Sequence, residues 1–142
     1  MIYTIVTKRA MVIAYNAHHG QLDRTGIPYI YHPVHLAEQM RTEEETAAAL
    51  LHDVVEHSGV TLEDLRAQGI PEPVVEAVRL LTHAEGVAYM DYVAALKPNP
   101  ITKAVKLADL AHNSDTTRLE SVSDADKQRL EKYAQAKALL ES

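Results

Sequence analysis

The segment TAAALLHDVVEH, Thr46 to His57, is the most informative part of the chain. It is apolar on nearly every side before and after the pair His52-Asp53, and a helix that is apolar all round lies in the centre of a protein. A capping box precedes the segment. We therefore predict one continuous buried helix that begins at Glu43 and ends at His57.

The pair His52-Asp53 needs polar partners inside this helix, because burying an imidazole or a carboxylate without hydrogen bonds costs several kcal/mol. Side chains of adjacent helical residues point about 100° apart, so one group touches both only over the seam between them. A divalent cation can do this, since it accepts an imidazole nitrogen and a carboxylate oxygen at about 2 Å. The alternative is two separate core residues, each satisfied by backbone groups.

The rest of the chain also shows helical spacing of apolar residues, and no segment shows the alternation of a strand. Glycine, proline and capping residues separate the helices. We predict an all-α fold, a compact single-domain helical bundle over residues 1–142. The other predicted helices are Tyr3–His19, Pro33–Met40, Thr61–Gln68, Pro71–Leu81, Val87–Leu96, Asn99–Ser114 and Ser123–Leu140.

The composition of the chain excludes several classes of protein and of functional site. With 142 residues, 46% hydrophobic and 24% charged, the chain can bury a core of its own. The absence of cysteine excludes disulfides, thiolate ligands and cysteine nucleophiles. The net charge of −6 and the scattered basic residues predict no nucleic-acid partner. Without a signal peptide or a spanning segment, we expect a cytoplasmic protein with no membrane contact.

Two further polar residues lie at positions where neighbouring structure should restrict the side chain. His32 follows a loop and precedes Pro33, which suits the first position of a helix. Asp109 lies in the mostly apolar helix KAVKLADLAHN. The alternatives are a loop-packing histidine and a salt bridge from Asp109 to Lys106, three residues earlier. Spacing alone does not join His32 and Asp109 to the central pair.

Four segments, in this order, resemble the HD-domain phosphohydrolases. The resemblance is closest to the hydrolase domain of the Rel/Spo alarmone enzymes and to the stand-alone small alarmone hydrolases, and it runs from about residue 10 to residue 119. The segments are AHHGQ (Ala17–Gln21), GIPYIYHP (Gly26–Pro33), AALLHDVVEH (Ala48–His57) and KLADLAHN (Lys106–Asn113).

The resemblance implies a small-molecule nucleotide substrate and a divalent metal ion, in this family usually manganese. It implies that a metal-activated water attacks the 3′-diphosphate of (p)ppGpp and releases diphosphate with GDP or GTP. The ligands implied by matching positions are His32, His52, Asp53 and Asp109.

The acidic residue that follows the HD pair in the family is matched by Glu56, which shares a helix face with His52 and Asp53. The family typically carries a second acid next, and here that position is His57. A neutral imidazole could act there as acid or base near neutral pH. Glu56 and His57 are therefore the expected catalytic residues.

The loop before the HP motif departs from the family in a second way. A basic pair in the family is replaced here by Asp23-Arg24, so one positive charge has become negative. We expect Arg24 to contact the substrate from its position next to Asp23. Asn113 and Thr116 match family positions near the bound nucleotide and complete the expected substrate-binding residues.

Three hypotheses for function remain open at this stage. The first is a (p)ppGpp 3′-diphosphohydrolase, the second is an HD phosphohydrolase that acts on another nucleotide, and the third is a non-catalytic helical module that binds metal or nucleotide.

The last predicted helix either packs on the bundle or helps to form a homodimer. Packing or helix-end roles are expected for His18, Tyr29 and His112.

Overall fold

Nine helices form the protein, and the computed structural model describes all 142 residues. No strand is present, and a single isolated bridge joins Leu22 to Pro28. The all-α prediction is therefore confirmed. The helices are α1 Ile5–His18, α2 Tyr31–Glu38, α3 Glu43–Leu51, α4 Val54–His57, α5 Leu62–Ala67, α6 Glu72–Leu81, α7 Tyr89–Leu96, α8 Pro100–Asn113 and α9 Asp124–Glu141.

The centre of the bundle is α3, whose residues from Thr46 to Leu51 are all buried. Helices α1, α2, α6 and α8 pack around it. The small side chains of the three consecutive alanines from Ala47 to Ala49 leave room for these neighbours, while Leu50 and Leu51 fill the core. Full burial of one such leucine contributes about 1.5–3 kcal/mol.

The central helix is not continuous, and the predicted single helix from Glu43 to His57 is wrong in its second half. Helix α3 ends at Leu51 and α4 begins at Val54. Asp53 lies between them with φ −128° and ψ 14°, which is not a helical conformation. Neither glycine nor proline causes the break. Contacts of the Asp53 side chain with distant segments hold it, so tertiary structure overrides local helix preference.

The loop between α1 and α2 folds back on itself. The backbone N–H of Tyr29 donates to the carbonyl of Gln21 at 2.9 Å, and the N–H of Asp23 donates to the carbonyl of Ile27 at 2.8 Å. Helix α2 then begins at Tyr31, two residues before the predicted start. The loop thereby returns the residues before α2 to the end of α1, beside the break between α3 and α4.

The remaining helices follow local signals closely. Thr61 with Asp64 and Ser123 with Asp126 form reciprocal capping boxes at the starts of α5 and α9. Helix α9 packs on α7 and α8, and Ala136 is among its buried residues. None of the helices combines the length and the apolar character that crossing a membrane requires.

Candidate metal centre

Three buried side chains from three distant segments meet next to the break in the central helix. Nε2 of His32, on α2, lies 2.9 Å from Oδ1 of Asp109, on α8. Nε2 of His52, which follows α3, lies 3.8 Å from the same oxygen. One ligand atom from each of the three residues lies within 4.8 Å of the others. The fold thus brings three predicted metal ligands together at one point.

Hydrogen bonds fix the orientation of the His52 ring. Its Nδ1 lies 2.7 Å from the carbonyl oxygen of Ala49, one turn earlier. A carbonyl only accepts, so Nδ1 carries a hydrogen, and in the neutral tautomer Nε2 is the nitrogen with the free lone pair. Metal-binding histidines are commonly held in this way by a backbone carbonyl.

His32 is supported by a second ring. Its Nδ1 lies 2.7 Å from Nδ1 of His112, and the two rings are stacked at 12°. One of the two nitrogens donates and the other accepts. Burial first, and then the nearby rings and Arg118, lower the pKa of His112 to about 4, so its ring is neutral at neutral pH.

Asp53, the fourth predicted ligand, lies beside this group and outside it. Its Oδ2 is 3.5 Å from Nε2 of His52 and accepts a hydrogen bond from the hydroxyl of Tyr29. Its Oδ1 is 3.3 Å from Nε2 of His18, but the two atoms are not aligned for a hydrogen bond. Oδ1 therefore has no aligned hydrogen-bond donor, although the His18 ring faces it, and it remains able to bind a cation.

Both carboxylates are ionised although they are buried. Burial alone would raise the pKa of Asp109, but the ammonium of Lys106, 2.9 Å from Oδ2, and the two histidines lower it well below its usual range. Burial likewise opposes ionisation of Asp53, and His52, His18 and Tyr29 together lower its pKa. The site therefore offers two negative carboxylates.

The residues present fit a divalent metal ion. The structure provides imidazole nitrogens and ionised carboxylates in a single location. Mixed nitrogen and oxygen ligation suits manganese, iron, cobalt, nickel or zinc, and the absence of thiolates removes a preference for softer metals. Lys106 does pair with Asp109, as the alternative interpretation proposed, but this pair is buried and belongs to the same site.

A cavity of about 520 Å³ opens next to the predicted metal ligands. His32 belongs both to the three-residue group and to the cavity wall. The volume of the cavity lies within the usual range for small-molecule sites. The other lining residues are Gln21, Leu22, Asp23, Arg24, Thr25, Tyr29, His57, Asn113, Asp115, Arg118 and Leu119.

The expected substrate-binding residues differ in their placement. Asn113 lines the cavity and donates to Oδ1 of Asp109 at 3.1 Å. Arg24 also lines the cavity, but its side chain is 59% exposed and its guanidinium bonds to Asp126 at 3.1 Å. Thr116 is not among the lining residues.

The two expected catalytic residues are also separated by the structure. His57 lines the cavity, and its Nε2 lies 3.9 Å from Oδ2 of Asp53 and 3.8 Å from Oε2 of Glu56. Glu56 is absent from the cavity wall, and its other oxygen accepts the backbone N–H of His83. Of the two, only His57 has direct access to a molecule in the cavity.

Sequence reasoning missed several members of the site. His18 is 1% exposed and faces Asp53, while its Nδ1 lies 2.9 Å from Oε1 of Gln21. Gln21 also donates to the carbonyl of His57 at 2.7 Å. The signal was present, because His18, Gln21 and Tyr29 all lie in motifs that carry the resemblance. Packing or helix-end roles were expected for His18 and Tyr29, and no role was predicted for Gln21, because no spacing rule linked them to the central pair.

A family model described as an HD domain matches residues 10–103 of this chain. The chain therefore belongs to the HD-domain family. The match includes His32, His52 and Asp53 and ends before Asp109. The resemblance that the sequence motifs indicated is thus confirmed at the level of the family.

Two curated relatives illustrate the similarity. A protein named probable GTP pyrophosphokinase from Mycobacterium leprae is 35% identical over 127 residues, which are 80% of this chain and 16% of that protein. A protein named bifunctional (p)ppGpp synthase/hydrolase SpoT from Escherichia coli is 32% identical over 124 residues, which are 77% of this chain and 18% of that protein. The chain spans less than a fifth of the length of either relative.

A solved structure shares the fold. It belongs to a metazoan ortholog of SpoT that is described as hydrolysing ppGpp and as playing a role in starvation responses. The TM-score is 0.80 at 20% sequence identity, and the similarity covers 99% of this chain and 88% of the other. The helical bundle described above is therefore an HD-domain fold.

Proposed function

We propose that this chain is a metal-dependent phosphohydrolase that removes the 3′-diphosphate of (p)ppGpp. The observation that carries the proposal is the buried group His32, His52 and Asp109, which reaches a nucleotide-sized cavity through His32. Membership of the HD-domain family and relatives named for (p)ppGpp synthesis and hydrolysis support the choice of substrate. A chain of similar length and fold that is described as hydrolysing ppGpp supports it further.

The residues that would hold the ion are His32, His52 and Asp109, with Asp53 as the fourth ligand. When bound, a divalent ion, which we take to be manganese, would neutralise charge on the diphosphate and acidify a water molecule. His52 presents its free lone pair because Ala49 holds the opposite ring nitrogen. The unpaired Oδ1 of Asp53 supports its inclusion, although its oxygens lie outside the three-residue group.

The reaction forms a bond between a water oxygen and the phosphorus that is attached to ribose O3′. The bond from that phosphorus to O3′ breaks, and O3′ takes up a proton. The products are diphosphate and GDP, or GTP from pppGpp. His57 is the group that accepts the water proton and returns a proton to O3′, because it lines the cavity beside Asp53. An imidazole serves both steps near neutral pH.

Glu56 acts on His57 in this proposal, since its own carboxylate does not line the cavity. One oxygen is held by the backbone N–H of His83, and the other faces Nε2 of His57 at 3.8 Å. A carboxylate at this distance can orient the imidazole ring. Glu56 is therefore assigned as a positioning residue for the proton carrier.

The test is release of diphosphate from ppGpp in the presence of manganese. Wild type is expected to turn over, whereas His52→Ala and Asp53→Ala are expected to lose at least about 100-fold in kcat, as is common when metal ligands or catalytic groups are removed. Arg79→Gln is the matched control, because Arg79 is half-exposed on α6 and pairs with Glu76. If ppGpp survives incubation with wild type, the proposed reaction is wrong.

A second candidate is an HD phosphohydrolase that acts on another nucleotide. The observation that favours it is Arg24, which bonds to Asp126 instead of supplying the free positive charge expected in this loop. Manganese-dependent phosphate release from a nucleotide panel, with ppGpp untouched, would select this candidate. Tight binding of metal and nucleotide without turnover would instead select a non-catalytic module.

A further inference from the structure

An ion pair on the cavity wall joins two segments that are far apart in the chain. Nη1 of Arg118, between α8 and α9, lies 3.0 Å from Oδ2 of Asp23, in the loop between α1 and α2. The two residues are 95 positions apart, and both line the cavity. The aspartate that replaces a family basic residue therefore has an arginine as its partner.

The two oxygens of Asp23 serve different purposes. Oδ1 accepts hydrogen bonds from the backbone N–H of Thr25 at 2.8 Å, from its hydroxyl at 2.7 Å and from the N–H of Ile27 at 3.1 Å. These bonds shape the loop. Oδ2 is left to face Arg118, so the loop presents a fixed negative charge that orients the guanidinium.

Most of the N–H donors of Arg118 make no hydrogen bond within the protein. A guanidinium carries five N–H donors in a planar fork, and the structure gives this one a single side-chain hydrogen bond, the bond to Asp23. Its Nε is buried without a partner, although the side chain as a whole is 29% exposed. A buried unpaired donor is costly unless an acceptor arrives. Phosphate oxygens fit such a fork in a bidentate manner.

The other arginine on the cavity wall is less suited to this task. Arg24 is twice as exposed as Arg118, at 59% against 29%, and its bond leads away to Asp126 in α9. An exposed guanidinium loses more side-chain entropy on binding than one that is partly buried. Arg118 is the more buried of the two cations, and its partner lies on the cavity wall.

We propose that Arg118, oriented by Asp23, binds a phosphate group of the nucleotide and replaces the positive charge that the loop has lost at position 23. The inference rests on the proposed function, since it assigns a substrate contact in the same cavity. Arg118 is the substrate-binding residue, and Asp23 is a positioning residue that acts through it.

The first experiment measures binding without metal or turnover. GDP and inorganic diphosphate are titrated separately by calorimetry, in EDTA, into wild type, Arg118→Gln, Arg118→Lys and the control Arg79→Gln. Arg118→Gln is expected to weaken at least one ligand about 10-fold or more. Arg118→Lys is expected to retain part of the affinity, since it keeps the charge without the fork. The ligand that is weakened identifies which phosphate Arg118 holds.

The second experiment tests the positioning role of Asp23. Asp23→Asn keeps an oxygen for the loop bonds and removes the charge that faces Arg118. With ppGpp and manganese, KM is expected to rise several-fold while kcat and the thermal midpoint change little. A purely structural role would instead lower the thermal midpoint and leave KM unchanged.

The outcomes separate this inference from the proposed reaction. If Arg118→Gln weakens GDP or diphosphate while wild type leaves ppGpp intact, the phosphate contact stands and the proposed reaction fails. If wild type hydrolyses ppGpp but Arg118→Gln alters neither affinity nor KM, the inference is wrong and the reaction stands. Absence of GDP and diphosphate binding by wild type also overturns the inference.

Discussion

The hydroxyl of Tyr29 donates a hydrogen bond to Oδ2 of Asp53. This bond links the folded loop before α2 to the break between α3 and α4. Burial first, and then the negative charge of Asp53, raise the pKa of Tyr29 well above its usual range. The hydroxyl therefore keeps its proton at physiological pH and remains a donor to the carboxylate.

Replacing Tyr29 with Phe is expected to destabilise the protein. The buried carboxylate of Asp53 loses a charge-assisted hydrogen bond, which contributes about 1.5–3 kcal/mol. The measurement is the free energy of unfolding in urea, without metal. Tyr31→Phe is the matched control, because Tyr31 is 62% exposed and its change should stay within about 0.5 kcal/mol. Equal effects of the two variants would contradict the role of the Tyr29 bond.

Variants of the buried pair Lys106 and Asp109 should distinguish an effect on stability from an effect on metal binding. Asp109→Ala leaves an unpaired buried ammonium and is expected to lower the free energy of unfolding by about 3–5 kcal/mol. The double variant Lys106→Met/Asp109→Ala removes the stranded charge and should recover at least half of that loss. Urea unfolding measures both variants.

Manganese titration of the same variants completes this test. Neither the single nor the double variant should bind the ion as wild type does, because both lack the Asp109 carboxylate. A double variant that is as unstable as Asp109→Ala would show that the ammonium is not the source of the loss.

Truncation of a core side chain on the central helix should destabilise the protein strongly. Leu50 is fully buried on α3, so Leu50→Ala is expected to cost about 2–5 kcal/mol from lost burial and the resulting cavity. Val12→Ala on α1 should cost less than about 0.5 kcal/mol, because Val12 is 61% exposed. Chemical denaturation compares the two, and a Leu50→Ala effect as small as that of Val12→Ala would be evidence against the assigned core.

Stability should fall in acid partly through the cap of α9. Hydrogen bonds from the backbone and side chain of Ser123 lower the pKa of Asp126 from 3.8 to about 2. A carboxyl with a lowered pKa stabilises the folded state above its unfolded pKa, and this contribution disappears as the pH falls through the folded pKa. The thermal midpoint advantage of wild type over Asp126→Asn should therefore shrink between about pH 4 and pH 2.

The matched control for the cap is Asp124→Asn, which removes a charge from the same helical turn without touching the bonds to Ser123. Its midpoint should differ from that of wild type by an amount that varies less with pH. A constant difference between wild type and Asp126→Asn across the acid range would rule out the linkage.

Most of the helical pattern could be predicted because it depends on local signals. Helix α6 was placed at Pro71–Leu81 and is observed at Glu72–Leu81, and the capping boxes of α5 and α9 form as expected. The break at Asp53 carries no such signal. It depends on Tyr29 and His18, which contact the carboxylate from other segments, so a reading of neighbouring residues favours an uninterrupted helix.

The candidate site could be predicted only in part, and for a similar reason. The placement of His32, His52 and Asp109 followed from motifs, and the structure brings them together. Arg118 could not be found in that way, because its partner Asp23 is 95 residues away and Arg24 was the nearer choice. Contacts across such separations depend on how the helices pack, which motifs do not encode.

The bond from His52 to the carbonyl of Ala49 ties a proposed ligand to the last turn of the buried helix. A shift of that turn, for instance from a bulkier residue at Ala48, would rotate the imidazole together with the backbone. Substitutions in this part of the core should therefore be limited both by the packing of the helix and by the orientation that the proposed metal site requires of His52. A variant that repacks this helix should keep its final turn in place if it is to bind the ion.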